Sequence, residues 1–459
     1  MRTKLTHFVA AIVRRKLHIF AAIIALFPAI ASAQEYAVTD LGDLGGGTST
    51  ATAVNRTGQV AGYSAANYVT EEANIAQVFP FIYSNGTMNM IYSDLMFYWN
   101  YGLAMNDNGV VVGEFSNYGT NAFLWNGALQ DLAPNIQSYA SAINENGVAV
   151  GANGYIQGPT ENNDGFLVGG EPIGVIFSGG NILDIPTGPY VSVSPTGINN
   201  AEQISAECMT SNGVWDGCLI AGNTHKLLQP APAYGGTQPF AINASGDTCG
   251  YSFKGLQSAP TSITATYWKG TTPTNLGTPA NTHNSECLGM DNFVEGVGDA
   301  STGTNATVGV IFDPLHGARD LNKLISQIHI KGHGFQIQNA VSISDTGFIA
   351  ANCLLQNGYT HACLLTPNTV LILHDNVLAW ADAQVVCIPC QTSLIEETKS
   401  LPKSLVGLNA DQRERALNTV DRIGAEIESL ERSRKISQLQ ALLLIHEAQL
   451  VAAALEPSR

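Results

Sequence analysis

Ala53-Val54-Asn55-Arg56-Thr57-Gly58-Gln59-Val60-Ala61-Gly62 decides the fold, because the chain keeps returning to this phrase. It comes back as Ala104-Met105-Asn106-Asp107-Asn108-Gly109-Val110-Val111-Val112-Gly113, again from Ala142-Ile143-Asn144, and again from Ala241-Ile242-Asn243. Weaker copies begin at Gly197-Ile198-Asn199, at Ser342-Ile343-Ser344, and at Gly289-Met290-Asp291, where the phrase reads one residue shorter. The key residue falls at 55, 106, 144, 199, 243, 291 and 344, a mean spacing of about 48 residues, in the range of propeller blades.

Asn with Gly three residues on closes a tight turn. The Asn side chain bonds its own backbone further along, and Gly tolerates positive φ. Small and β-branched residues on both sides suit strands. A third apolar strand follows in each unit, as in Pro80-Phe81-Ile82-Tyr83, Ala122-Phe123-Leu124-Trp125, Gly165-Phe166-Leu167-Val168, Cys218-Leu219-Ile220 and Thr266-Tyr267-Trp268. A Gly-rich turn then leads to a last strand such as Leu129-Gln130-Asp131-Leu132 or Ile182-Leu183-Asp184-Ile185. Four short antiparallel strands per unit predict an all-β propeller of about seven blades over residues 34–370. The seventh unit meets Pro367 without a last strand, while Tyr36-Ala37-Val38-Thr39-Asp40-Leu41-Gly42 looks like one that precedes the first unit. The N-terminal segment is therefore expected to complete the last blade and remove the exposed edges of an open array.

Tyr36 to Gly46, followed by Ala53-Val54-Asn55 and Gly58-Gln59-Val60-Ala61-Gly62-Tyr63-Ser64, resembles the bacterial HAF-repeat extracellular proteins. Their name-giving tripeptide survives here as Asn121-Ala122-Phe123 and His361-Ala362-Cys363. The resemblance spans about Tyr36 to Leu365 and implies a secreted repeat protein. It carries no catalytic residue with it.

The start of the chain reads as an export signal. Arg2, Lys4, Arg14, Arg15 and Lys16 precede an apolar run from Leu17 to Ile30, and Ala31-Ser32-Ala33 offers small residues for cleavage after Ala33. No later stretch reaches 18 apolar residues without a charge, so no membrane span is expected after cleavage. Without those five basic residues the chain has 16 Lys and Arg against 37 acids, and residues 34–390 hold only seven against 27. So negative a surface repels phosphate backbones, which excludes nucleic acid as a partner.

Eight cysteines in an exported chain suggest disulfides. Cys208 and Cys218 lie nine and nineteen residues after Asn199, and Cys353 and Cys363 stand at the same offsets from Ser344. That repetition predicts Cys208–Cys218 and Cys353–Cys363. Cys387-Ile388-Pro389-Cys390 can close on itself, leaving Cys249 to pair with Cys287. A redox pair or half a metal site is the sharper reading of Cys387 and Cys390, but the βαβ context and a second ligand pair are missing.

Composition changes after about Leu373. Residues 371–407 read as a linker carrying the CxxC, and 408–459 as a helical tail in which Leu417, Val420, Ile423, Ile427 and Leu430 recur at helical spacing. Ile436, Leu439, Leu443 and Leu450 form a second stripe, so the tail is one long helix or a hairpin. It covers either its own ring or a second copy in a homodimer.

Chemistry is less legible. His329 and His333 lie in a Gly-bounded stretch; no phosphate-loop or nucleophile-elbow pattern occurs. Glu71, Glu72, Asp94 and Glu114 could serve glycoside hydrolysis, but sequence alone does not pair them. No cofactor is implied. Tyr98, Trp99 and Tyr101 crowd with Tyr92 and Phe97; they read first as packing between blades and otherwise as a candidate platform for a ligand. The expectation is an exported, non-enzymatic binding scaffold for a glycan or protein. A secreted carbohydrate-active hydrolase or lyase is the alternative, and fold alone does not separate them.

Overall fold

The computed structural model describes residues 35–69, 74–91, 99–116, 120–134, 136–154, 173–303, 306–325, 336–383 and 388–456. β1 (Tyr36–Asp40) stands apart from the first repeat. Blade one is β2 (Ser49–Val54), β3 (Val60–Val69), β4 (Asn74–Ser84) and β5 (Thr87–Met90); blade two is β6 (Asn100–Met105), β7 (Val111–Ser116), β8 (Thr120–Trp125) and β9 (Leu129–Asp131). Blade three is β10 (Ser138–Ile143), β11 (Ala149–Asn153), β12 (Ile173–Ser178) and β13 (Asn181–Asp184); blade four is β14 (Ser192–Ile198), β15 (Gln203–Met209), β16 (Trp215–Ala221) and β17 (Thr224–Leu227). Blade five is β18 (Gly236–Ile242), β19 (Thr248–Leu256), β20 (Ala259–Lys269) and β21 (Thr272–Asn275). Blade six is β22 (Ser285–Met290), β23 (Gly296–Ser301), β24 (Thr307–Asp313) and β25 (Gly317–Asp320). Blade seven takes β26 (Gln336–Ile343), β27 (Ile349–Leu354) and β28 (Thr360–Pro367), and its fourth strand is β1. Seven four-stranded antiparallel sheets thus form a propeller closed by the N-terminal strand. The first strands of successive blades lie side by side around the axis.

The repeated Asn explains how neighbouring blades are joined. Its Oδ1 accepts the amides two and four residues on, as Asn106 does from Asn108 and Val110 at 3.1 Å each. Its Nδ2 is then free to reach the next blade: Asn106 donates to the Asn144 carbonyl, Asn144 to that of Asn199, and Asn199 to that of Asn243, each at 3.0 Å. The following position adds a second chain of bonds, with the Arg56 amide on Asp107 Oδ1 at 2.8 Å and the Glu145 amide on Asn200 Oδ1 at 2.9 Å. Closure relies on bonds of the same kind, since Ala51 N donates to Asn352 Oδ1 at 2.8 Å and Ala362 N to Ser49 Oγ at 2.9 Å. These bonds satisfy buried polar groups that would otherwise destabilise the joints.

Two readings of the repeat are corrected. The sixth turn is not short: the Asp291 amide donates to the Glu295 carbonyl at 3.0 Å, as Asn55 does to Gln59, and Val294 takes the left-handed place of Gly at φ 71°. The third strand of blade three is Ile173–Ser178, whose Phe177 is buried; Gly165-Phe166-Leu167-Val168 lies outside the described residues. The two stretches are easily confused because Phe166-Leu167-Val168 and Ile176-Phe177-Ser178 are each followed by a pair of glycines, and only register against β11 separates them. In the fourth turn Glu202, exposed, also holds φ 56°. Replacing it by glycine removes the Cβ penalty of that conformation and is expected to stabilise the protein by about 1 kcal/mol, read as a higher denaturation midpoint.

Hydrophobic clusters sit between blades rather than within them. Ala51, Val60 and Phe81 of blade one pack on Ala350, Ala362 and Leu364 of blade seven, for example. The segment read as a linker is helical over most of its described length, in α1 (Thr369–Ala383) and α2 (Ile388–Ser400). The tail is a hairpin of α3 (Ala410–Arg432) and α4 (Gln438–Leu455). No Gly or Pro marks its break; instead Arg434 turns left-handed at φ 57° and Ser437 starts α4 with a capping box. By length and composition α4 could cross a membrane, but here Leu444, Ala448 and Val451 pack with Trp380 and Ile423 in a helical core. The bundle rests on its own ring, where the His446 ring stacks on Phe293 of the sixth turn at 3.3 Å between centroids.

Candidate functional site

Each first strand starts at the end of the ring away from the Asn turns, and each second strand finishes there. Five residues before the key position and eight after it, the two strands place a facing pair at that end: Thr50 with Tyr63, Tyr101 with Glu114, Tyr139 with Ala152 and Ser194 with Glu207. The remaining blades give Gln238 with Tyr251, Glu286 with Asp299, and Asn339 with Asn352. Because the first strands surround the axis, these pairs make a belt around the axis at one end of the ring. Aromatic rings, amides and four carboxylates share it, and no belt position is Lys or Arg.

A bulge in every first strand carries the belt residue's carbonyl over the second strand. The residue beneath is glycine in five blades; a Cβ at Gly113 would stand 1.9 Å from the Tyr101 oxygen. In those five blades the glycines let the two inner strands lie close enough to set the belt pair.

Contacts hold the belt residues both within a blade and from blade to blade. Tyr63 meets Tyr101 edge-on at 4.8 Å. Tyr251 donates its hydroxyl to Gln238 Oε1, and Gln257 donates its amide to Glu207 Oε1. Burial, then the charges of Glu286 and Glu207 on either side, push the Tyr251 hydroxyl up to about 12. Burial raises Glu114 to about 7, and burial followed by the charge of Glu286 raises Asp299 to about 7. Glu286 is raised by burial, and Glu207 by burial against the opposing bond from Gln257. Near neutral pH this end of the ring thus holds carboxyls that can accept or donate hydrogen bonds beside tyrosine faces, Glu114 among them being buried.

Of the expected platform, Tyr101 is a belt member, Trp99 stands at the rim 47% exposed, and Tyr98 lies outside the described residues. Glu114 joins the belt; Glu71, Glu72, Asp94, His329 and His333 lie outside the described residues. The sequence reading missed Tyr63, Glu207, Tyr251, Glu286 and Asp299. Their signal was positional, a fixed offset from each key residue, and would have emerged from stacking the seven copies.

Three cysteine pairs match expectation. Cys208–Cys218 ties β15 to β16, Cys353–Cys363 ties β27 to β28, and Cys249–Cys287 joins blade five to blade six, with Cα separations of 6.0, 6.2 and 5.7 Å. Such bonds belong to an oxidising compartment. Cys387 lies outside the described residues, and Cys390 falls within α2.

No family model matches, and no curated protein matches. Among solved structures, the β-propeller domain of the Trilobed protease from Pyrococcus furiosus is similar at 10% identity, over 69% of this chain and 93% of that one, with a TM-score of 0.46. Pyrococcus horikoshii acylaminoacyl peptidase is similar at 12% identity over 68% of this chain and 52% of that one (TM-score 0.42). TolB from Acinetobacter baumannii is similar at 13% identity over 48% of this chain (TM-score 0.32), and the chain spans 50% of TolB's length.

Proposed function

We propose that the protein is an exported binding scaffold, non-enzymatic, which holds a hydroxyl-rich ligand such as a glycan at the belted end of its ring. One observation carries this reading: the same two repeat positions in every blade converge on one end of the ring and hold tyrosines, amides and carboxyls rather than cations. Tyrosine faces take sugar rings, and carboxyls and amides take their hydroxyls. The disulfides and the resemblance to HAF-repeat extracellular proteins support a place in the periplasm or outside the cell, with the leader removed after Ala33.

The test is a glycan array probed with the labelled full chain and with a Glu207→Gln, Glu286→Gln, Asp299→Asn variant of unchanged melting temperature. Selective binding by the first and at least a tenfold loss in the second is the expected result. Equal binding by both, or none by either, would retire the belt as a glycan site.

A hydrolase reading has one observation of its own. Glu286 and Asp299 are directly paired across two strands, and Asp299 is raised to about 7 by burial and then by Glu286, as suits a general acid beside a second carboxylate. Release of reducing ends from a polysaccharide panel, abolished by Asp299→Asn, would establish it over simple binding.

A further inference from the structure

Where the tail meets the ring, carboxyls from two elements are shut in together. Glu447 of α4 and Asp291 of the sixth turn are each 3% exposed, and among the described residues Glu447 Oε2 and Asp291 Oδ2 have no hydrogen-bond partner. Glu295 of the same turn is 4% exposed. The neighbouring cation, Arg319, is engaged elsewhere: it bonds Glu35 at 2.9 Å and Asp313 at 3.2 Å, and reaches Asp375 of α1 at 3.4 Å. Among the described residues no three His, Cys, Asp or Glu side chains are arranged to hold a metal ion, which leaves protons to neutralise the cluster.

We propose that the helical tail is a proton-operated latch on the turn face of the ring, docked while Asp291, Glu295 and Glu447 carry protons and released as they ionise, uncovering Phe293 and the sixth turn.

The electrostatics where the tail and the ring meet favour this direction on balance. Burial first, then Asp291, Asp313 and Glu35, raise Glu447 to about 8 against the pull of Arg319. Burial, then Glu447, Asp291 and Asp313, raise Glu295. Burial and the Asp345 charge of the seventh turn raise Asp291 to about 7, opposed by amides of its own turn. Tyr36 of β1 faces the same cluster and stays neutral, its hydroxyl raised by burial and then by Glu295. A raised carboxyl contributes its full docking stability below its unfolded value and loses it as pH climbs through the folded one. The His316 bridge to Asp375, 3.0 Å long, acts in the same sense: burial lowers His316, but Asp313 and Asp375 outweigh it and hold the ring up to about 9. His446 opposes only at the acid end, since burial holds it down to about 4. Docking is thus strongest in mildly acid solution, already weaker at neutral pH and weakest towards pH 9.

Amide hydrogen exchange on the full chain, corrected for the intrinsic pH dependence of exchange, reads this directly. Protection of residues 438–455 and 291–295 is expected to fall at least tenfold between pH 6 and pH 9, while β15 and β16 keep theirs. In Glu447→Gln the fall should be clearly smaller, the part left being that of Asp291, Glu295 and His316. A wild-type tail equally protected at both pH values overturns the latch whatever the variant does, and so does an undiminished fall in a folded Glu447→Gln. If that variant does not fold, Asp291→Asn serves the same comparison.

Discussion

Alanine at Arg319 is expected to destabilise the protein by about 3–5 kcal/mol, the usual result of stranding buried partners of an ion pair. Arg319 reaches three elements far apart in sequence. Glu35 comes from the segment that leads into the closing strand, Asp313 from blade six, and Asp375 from α1. Glu35 and Asp313 are 4% and 5% exposed, so water cannot replace the guanidinium. Beside them the Asn368 amide donates to the Glu35 carbonyl at 2.7 Å, and Tyr36 N to Leu324 O at 3.2 Å. Losing Arg319 should therefore loosen the seam of the ring together with the root of the tail. Chemical denaturation would show a lowered midpoint, and hydrogen exchange would show β1 opening before β14 and β15. A variant as stable as the parent would mean that the seam does not depend on this cluster.

Alanine at Gly113 is the second large effect. The new Cβ would stand 1.9 Å from the Tyr101 carbonyl and 2.9 Å from a Phe123 ring carbon, and neither neighbour is the loose end of a flexible chain. Blades four and seven hold Ala206 and Ala351 at the same position, so a blade can open enough to take a methyl. The expected outcome is a folded protein destabilised by about 2–4 kcal/mol and, because Tyr101 and Glu114 shift with the strands, one with a weakened belt. An unchanged midpoint would contradict the close approach of the inner strands.

Much of the ring was legible because its determinants are local and repeated. Asn and Gly at fixed spacing specify a turn wherever they occur, and the unpaired Tyr36–Gly42 segment matched the strand missing after Pro367. Cys208 and Cys353 announced their partners by sharing an offset. Where a rule was replaced by context, reading failed. Val294 stands in a glycine's place because neighbouring hydrogen bonds hold the sixth turn. Residues 369–383 and 388–400 look like a linker since their helices, α1 and α2, are stabilised by the bundle core around Trp380 and Leu394 rather than by amphipathic spacing of their own. The belt escaped for another reason. Thr50, Tyr101, Tyr139, Ser194, Gln238, Glu286 and Asn339 share a place and no chemistry, so only the register of the sheets reveals that they meet.

The most direct trial of the belt is ring-carbon NMR of tyrosine-labelled full-length protein, titrated with an array-positive glycan. Signals from Tyr63, Tyr101 and Tyr251 should move together with one affinity, while Tyr83 and Tyr267, towards the turn face, stay in place. Movement of Tyr83 or Tyr267 with the belt tyrosines silent would put the ligand elsewhere.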